Sequence, residues 1–85
     1  MASYSIEIKR SAAKEIEALS PKDRRRIVAR IGGLARNPRP SGCEKLSGQD
    51  RYRLRQGDYR ILYEILDHRL LVTVVRVGNR RDVYR

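Results

Sequence analysis

Residues 51–65 read RYRLRQGDYRILYEI. The stretch alternates arginine with apolar or aromatic residues, turns at Gln56-Gly57-Asp58 and sets out again. Successive side chains of a strand point to opposite faces. Tyr52 and Leu54 therefore share one face, and Arg53 and Arg55 share the other. Arg60 follows across the turn, and the parity of Tyr59 and Tyr63 sets them apart from it. The segment thus predicts a hairpin with one apolar face and one cationic face. A second arginine block, RVGNRRDVYR at residues 76–85, closes the sequence. Two arginine-rich strand ends with tyrosines nearby suggest a surface that holds a phosphodiester backbone.

The elements around this hairpin follow from the same kind of pattern. Residues 3–8, SYSIEI, alternate and predict a first strand with Tyr4, Ile6 and Ile8 on one side. Ser11 is the expected cap of a helix running to about Leu19, with Ala12, Ile16 and Leu19 as its buried stripe. Ser20-Pro21-Lys22-Asp23 starts a second helix. The serine caps it, the proline suits the first helical position, and Asp23 completes a capping-box-like pair. Ile27, Ile31 and Leu34 recur at helical spacing, and the helix is expected to end near Asn37-Pro38, because the residue before proline avoids helical geometry. Gly32-Gly33 weakens its last turns. Residues 38–50, PRPSGCEKLSGQD, predict an irregular connection. Three strands follow at about 51–56, 59–66 and 69–77, with turns at Gly57-Asp58 and Asp67-His68. The tail from Gly78 reads as coil or a short extra strand.

This order implies an α+β fold, β-α-α-β-β-β, as a single domain over residues 1–85. The sheet is expected to be mostly antiparallel, with both helices packed on one face. The other face is left partly open for the arginines.

The chain has 85 residues and a formal charge of +10, and the excess is uneven. Basic and acidic residues cancel over positions 1–20. Seventeen of the 20 basic residues follow, and fifteen of those are arginine. Arginine forms bidentate contacts with phosphate that lysine does not copy, so acidic partners are expected: nucleic acid, an acidic protein, or both. Cys43 is the one cysteine, which excludes an internal disulfide and fits a reducing cytosol. With a single histidine, His68, it cannot make a zinc site of the usual kind, and no metal or cofactor is expected. No apolar stretch is long enough to cross a membrane, and the start, MASYSIEIKR, lacks the apolar core of a secretory signal. A cytoplasmic protein with no membrane partner is expected.

Charge on a sheet face is common and often serves only solubility. Here Arg53, Arg55 and Arg60 are joined by Arg76, Arg80, Arg81 and Arg85 if the last strands pair as hairpins. Such density of like charge repels itself, which favours phosphate binding. Tyr84 reads either as a tail anchor on the sheet edge or as a group that stacks on a base or moves a proton. His68 falls at a turn remote from the arginines and is read as a turn residue. Glu64 shares strand parity with Arg60 and is a candidate ion-pair partner for it. Lys22, Arg24, Arg25, Arg26 and Arg30 make the second helix basic. Lys22, Arg26 and Arg30 are spaced as a stripe that would add salt-sensitive affinity for a polyanion. Arg51, Arg76 and Arg81 complete the candidate RNA- or ribosome-binding set.

Leu46-Ser47-Gly48, then YRLRQGDYRILYEI, then VVRVGNRRDVYR, together resemble the RelE branch of the RelE/ParE toxin superfamily over almost the whole chain. The resemblance implies a toxin of a type II toxin–antitoxin module that enters the ribosomal A site and cleaves messenger RNA. It implies attack of a ribose 2′-hydroxyl on the adjacent phosphate, without a metal. Arg53 and Arg55 match two basic family positions, often lysines, that bind phosphate and support proton transfer. Arg60 matches the arginine that holds the scissile phosphate, and Arg80 one that stabilises charge building on it. Tyr84 matches a C-terminal tyrosine that stacks on the substrate base and helps activate the 2′-hydroxyl. The partners implied are the ribosome, messenger RNA and an acidic, partly disordered RelB-like antitoxin, with operator DNA bound only as the toxin–antitoxin complex. This sequence departs from the family where lysine would carry a proton, because Arg53 and Arg55 stay charged at ordinary pH. The proton acceptor is therefore open. The sequence also stops one residue after Tyr84, where some members carry a further helix. Two competing readings are a ParE-like inhibitor that binds DNA gyrase and an inactive RNA-binding relative. The retained arginine and tyrosine set favours RelE.

Overall fold

The apolar stripes of both helices and three strands meet in one core. The computed structural model describes residues 3–46 and 50–79. Its elements are β1 (Ser5–Ile8), α1 (Arg10–Glu17), α2 (Pro21–Gly33), β2 (Cys43–Lys45), β3 (Arg51–Gln56), β4 (Tyr59–Leu66) and β5 (Leu71–Asn79), with a short 3-10 turn at Asp67–Arg69. The sheet order is β1-β5-β4-β3-β2. All neighbours are antiparallel except β1 and β5, which run parallel. The helices lie between β1 and β2 in sequence, so the chain crosses the sheet once to reach its far edge.

Ala12 and Ile16 of α1 and Ile27 and Ile31 of α2 pack with Leu34 onto Tyr52, Leu54, Ile61, Tyr63, Ile65, Val72, Val74 and Val77. The expected α+β architecture, with both helices on one face, is what forms. Burying these aliphatic side chains is the main stabilising term, about 1.5–3 kcal/mol for each large one. Tyr52 and Tyr63 stack with ring centroids 5.8 Å apart, and both are buried on the helix side. The parity of the arginine hairpin is therefore as the alternation predicts.

Several boundaries differ from expectation, each for a local reason. Ser11 lies inside α1 and caps nothing, because Lys9 occupies the N-cap and the helix begins at Arg10. Ser20 does cap α2, accepting from the Asp23 amide at 3.3 Å, with Pro21 in the first turn. That helix ends at Gly33, short of Asn37, and Leu34, Ala35 and Arg36 close with tighter bonds to residues 31–33. The connection at 38–50 is not wholly irregular, since Cys43–Lys45 adds a fifth strand beside β3. Gly42, at φ +91, makes the turn into it. Ile8 is 41% exposed, because β1 is an edge strand and ends there.

β5 runs to Asn79 and contains a bulge. Leu62 pairs with Arg76 and Tyr63 with Val74, so Val75 is the extra residue. The bulge shifts the alternation by one. Val72 and Val74 point into the core before it and Val77 after it, while Arg76 stays off that face. Past the end of β1, Glu15 of α1 takes over its edge of β5. It accepts from the Val77 amide at 2.9 Å and from the Arg76 guanidinium at 3.1 Å.

Candidate nucleic-acid interface

β3 and β4 place three arginines together on the face away from the helices. Arg55 stands directly opposite Arg60 in register, next to the Gly57-Asp58 turn. Arg53 stands opposite Leu62 on one side and Glu44 of β2 on the other. Arg53, Arg55 and Arg60 line one open depression of about 300 Å³ together with Gly42 and Glu44. Arg60 is 4% exposed, Arg53 half-buried and Arg55 exposed. Like charges directly across a strand pair destabilise a sheet. Burying a guanidinium beside another adds to that cost. Such an arrangement suits an anion that neutralises it.

The depression also holds a carboxylate. Glu44 accepts from Arg53 Nη2 at 2.8 Å. Sequence pattern did not single out Glu44, since it lies in a connection read as irregular. The signal that could have found it is the short β-compatible stretch after Gly42, which puts alternate residues of β2 on the arginine face.

The remaining arginines divide by partner. Arg51 pairs with Glu64 across β3 and β4 at 3.0 Å. Glu64 was a candidate partner for Arg60, but the register puts Arg51 directly opposite it. Arg76 is drawn sideways to Glu15 and does not line the depression. Arg24 donates to the carbonyls of Glu17 and Leu19, satisfying the end of α1. Arg30 donates to the Ser41 carbonyl at 3.4 Å and ties down the loop before β2. Lys22, Arg25 and Arg26 are exposed on α2. Cations in the first turns of a helix oppose its dipole, so their placement there is not explained by helix stability. Arg26 borders a second depression with Asp23, Gln56, Asp58, Tyr59 and Asn79, at the same end of the sheet as Arg55 and Arg60. Tyr59 donates to Asp23 there at 2.9 Å, and this bond raises the phenol pKa. Arg80, Arg81, Arg85 and Tyr84 lie outside the described residues, as do Ser47 and Gly48.

At the other end of the sheet, Arg39 gathers a network that spacing could not reveal. Its guanidinium makes two bonds to Asp67, at 3.1 and 2.8 Å, and a third to the Tyr52 hydroxyl at 3.1 Å. It also lies 5.2 Å from the Tyr52 ring centre. Tyr4 donates to Asp67 at 2.6 Å, and Tyr63 donates to the buried Pro38 carbonyl at 2.8 Å. The Arg39 and Tyr4 bonds hold the Asp67 carboxyl down at about 2. Burial pushes the Tyr63 phenol well up. His68 is exposed in the adjoining turn, away from the arginine depression, as its sequence position suggested. The network fastens residues 37–41, β1 and the β4–β5 turn together, and so fixes the loop that leads into Glu44.

Comparison with known proteins agrees with this fold. The family model described as "ParE toxin of type II toxin-antitoxin system, parDE" matches residues 6–84. A curated relative, Toxin RelG of Mycobacterium tuberculosis, is 32% identical over 96% of this chain and 97% of its own length. Among solved structures, the toxin–antitoxin complex RelBE2 from Mycobacterium tuberculosis contains a chain that superposes with a TM-score of 0.82 at 28% identity, covering 96% of this chain and 97% of that one. The archaeal RelE–RelB complex from Pyrococcus horikoshii gives 0.84 at 26% identity, over 94% and 98%. The intact RelBE toxin–antitoxin complex from Escherichia coli gives 0.77 at 29%, over 91% and 96%.

Proposed function

The chain belongs to the RelE/ParE superfamily of type II toxins, with RelE-like relatives, and from that we propose that it is a ribosome-dependent endoribonuclease. It cleaves messenger RNA in the A site and so stops translation. The observation that carries this reading is the convergence of Arg53, Arg55 and Arg60 on one depression of the open face. In the reaction, the 2′-oxygen attacks the neighbouring phosphorus and the bond to the 5′-oxygen breaks. The phosphorane-like transition state gains negative charge, and preorganised guanidiniums stabilise that charge where it develops. Arg60, held by the sheet, contacts the scissile phosphate. Arg53 and Arg55 bind phosphate beside it. Arg80 and Tyr84, by family resemblance, add charge stabilisation and a stacking surface for the base. The exposed cations Lys22, Arg25 and Arg26 add salt-sensitive affinity for ribosomal RNA. The natural inhibitor is an antitoxin like those in the solved RelE–RelB complexes, acidic and extended enough to cover the arginine face.

The test is purified protein added to ribosomes programmed with a defined messenger. Cleavage confined to the A-site codon, and absent when that codon carries 2′-deoxyribose, supports the reading. A second reading, binding and inhibition of DNA gyrase, is favoured by the description of the matching family model. Trapped gyrase–DNA breaks with intact messenger would establish it instead.

A further inference from the structure

Among the described residues, the arginines of the proposed site leave one role unfilled. Something must take the proton from the 2′-hydroxyl, and guanidiniums do not accept protons at ordinary pH. Of the five described residues lining the arginine depression, three are arginines and one is glycine. The fifth is Glu44, whose carboxylate is an acceptor by nature.

We propose that Glu44 is the general base of this site, acting on the ribonuclease reading above. Its position follows from β2. Glu44 is paired in register with Arg53, so its side chain emerges on the arginine face at the rim of the depression. Its Oε2 accepts from Arg53 Nη2 at 2.8 Å, and the Glu44 side chain is 63% exposed. Glu44 is the solvent-facing member of the pair, at 63% exposure against 16% for Arg53, so a competing anion can exchange for it at the guanidinium. A phosphodiester entering the depression takes Arg53 for its own oxygens. That contact leaves Glu44 beside the attacking end of the phosphate with its lone pairs released. Charge pairing thus couples substrate arrival to freeing of the base.

The step balances as follows. Glu44 Oε takes the proton of the 2′-hydroxyl, and the 2′-oxygen forms a bond to phosphorus. The bond from phosphorus to the 5′-oxygen breaks, and that oxygen takes a proton from water. The products are a 2′,3′-cyclic phosphate and a 5′-hydroxyl, and Glu44 returns its proton to solvent. Glu64 and Glu15, on the neighbouring strands and helix, are committed to Arg51 and Arg76 and lie outside the depression.

The experiment compares single-turnover cleavage of ribosome-bound messenger by the parent, Glu44→Gln and Glu44→Ala, with Glu7→Gln as a surface control. Glutamine keeps an oxygen for Arg53 but cannot take the proton. The expected result is a fall in the cleavage rate of about 10²-fold or more for Glu44→Gln, at an unchanged half-saturating ribosome concentration. Added formate, a small carboxylate, is expected to restore cleavage in Glu44→Ala. Thermal unfolding of each variant checks that the fold persists. Parental rates in Glu44→Gln overturn the assignment and leave the ribonuclease reading standing. A loss confined to the half-saturating concentration, or no rescue by formate, makes Glu44 a positioning residue for Arg53 and also overturns it. A parent that does not cleave removes both readings together.

Discussion

Arg60 carries the greatest tension between stability and use. It is the one charged side chain buried among the described residues, and it faces Arg55 across the hairpin. Replacing it by alanine would remove packing as well as charge, so glutamine is the cleaner substitution. Arg60→Gln is expected to lower A-site cleavage by roughly 10²–10³-fold with unfolding little changed, measured by single-turnover kinetics and thermal melts. Asp67 shows the opposite balance, a charge satisfied on several sides for structure alone. Its folded carboxyl is lowered from an ordinary 3.8 to about 2, first by Arg39 and then by Tyr4. A depressed carboxylate contributes stability that is fully present above its unfolded value and is lost as pH falls through its folded value. The protein should therefore lose stability between about pH 4 and pH 2. In Asp67→Asn that portion of the acid loss should be missing, as chemical denaturation across this pH range will read.

At the scale of elements, the arginine hairpin was legible because strand parity is a local rule. Tyr52, Leu54 and Tyr63 fall inward, and Arg53 and Arg55 outward, on alternation alone. The α2 cap was equally plain, since Ser20, Pro21 and Asp23 act within one turn. β2 was hidden because three residues give too little pattern to show a strand, and its pairing with β3 is a tertiary fact. With β2 went Glu44, the acceptor that completes the depression. The Arg39 network was hidden for another reason. Arg39, Asp67 and Tyr4 are joined across most of the chain, and no spacing in PRPSG marks one arginine as a hub. The β5 bulge likewise answers to packing, as it keeps both Val74 and Val77 in the core. The turn between β3 and β4 offers a direct element-level test. Gly57 sits at φ +60 with open space around its Cα, so strain and not collision is the cost of a side chain there. Gly57→Ala is expected to destabilise the protein by about 1–2 kcal/mol in denaturant unfolding and to disturb the adjoining Arg55–Arg60 pair.

For the whole molecule, the sheet divides the labour. One face is closed by two helices and supplies stability, while the other carries guanidiniums over a shallow depression. Under the proposed function, the +10 charge would draw the chain to polyanions in general, and the register of β2, β3 and β4 would decide where a phosphate is held. The end of the sheet that bears Arg55 and Arg60 also meets the basic start of α2, so an RNA surface larger than one nucleotide would touch both. An antitoxin of the proposed acidic character would cover the depression and neutralise its field. The most direct test of this account is induced expression in bacteria with mapping of messenger RNA 5′ ends. It predicts growth arrest with cuts inside translated codons, both lost in Arg60→Gln. Arrest with uncut messenger and gyrase trapped on DNA would contradict it.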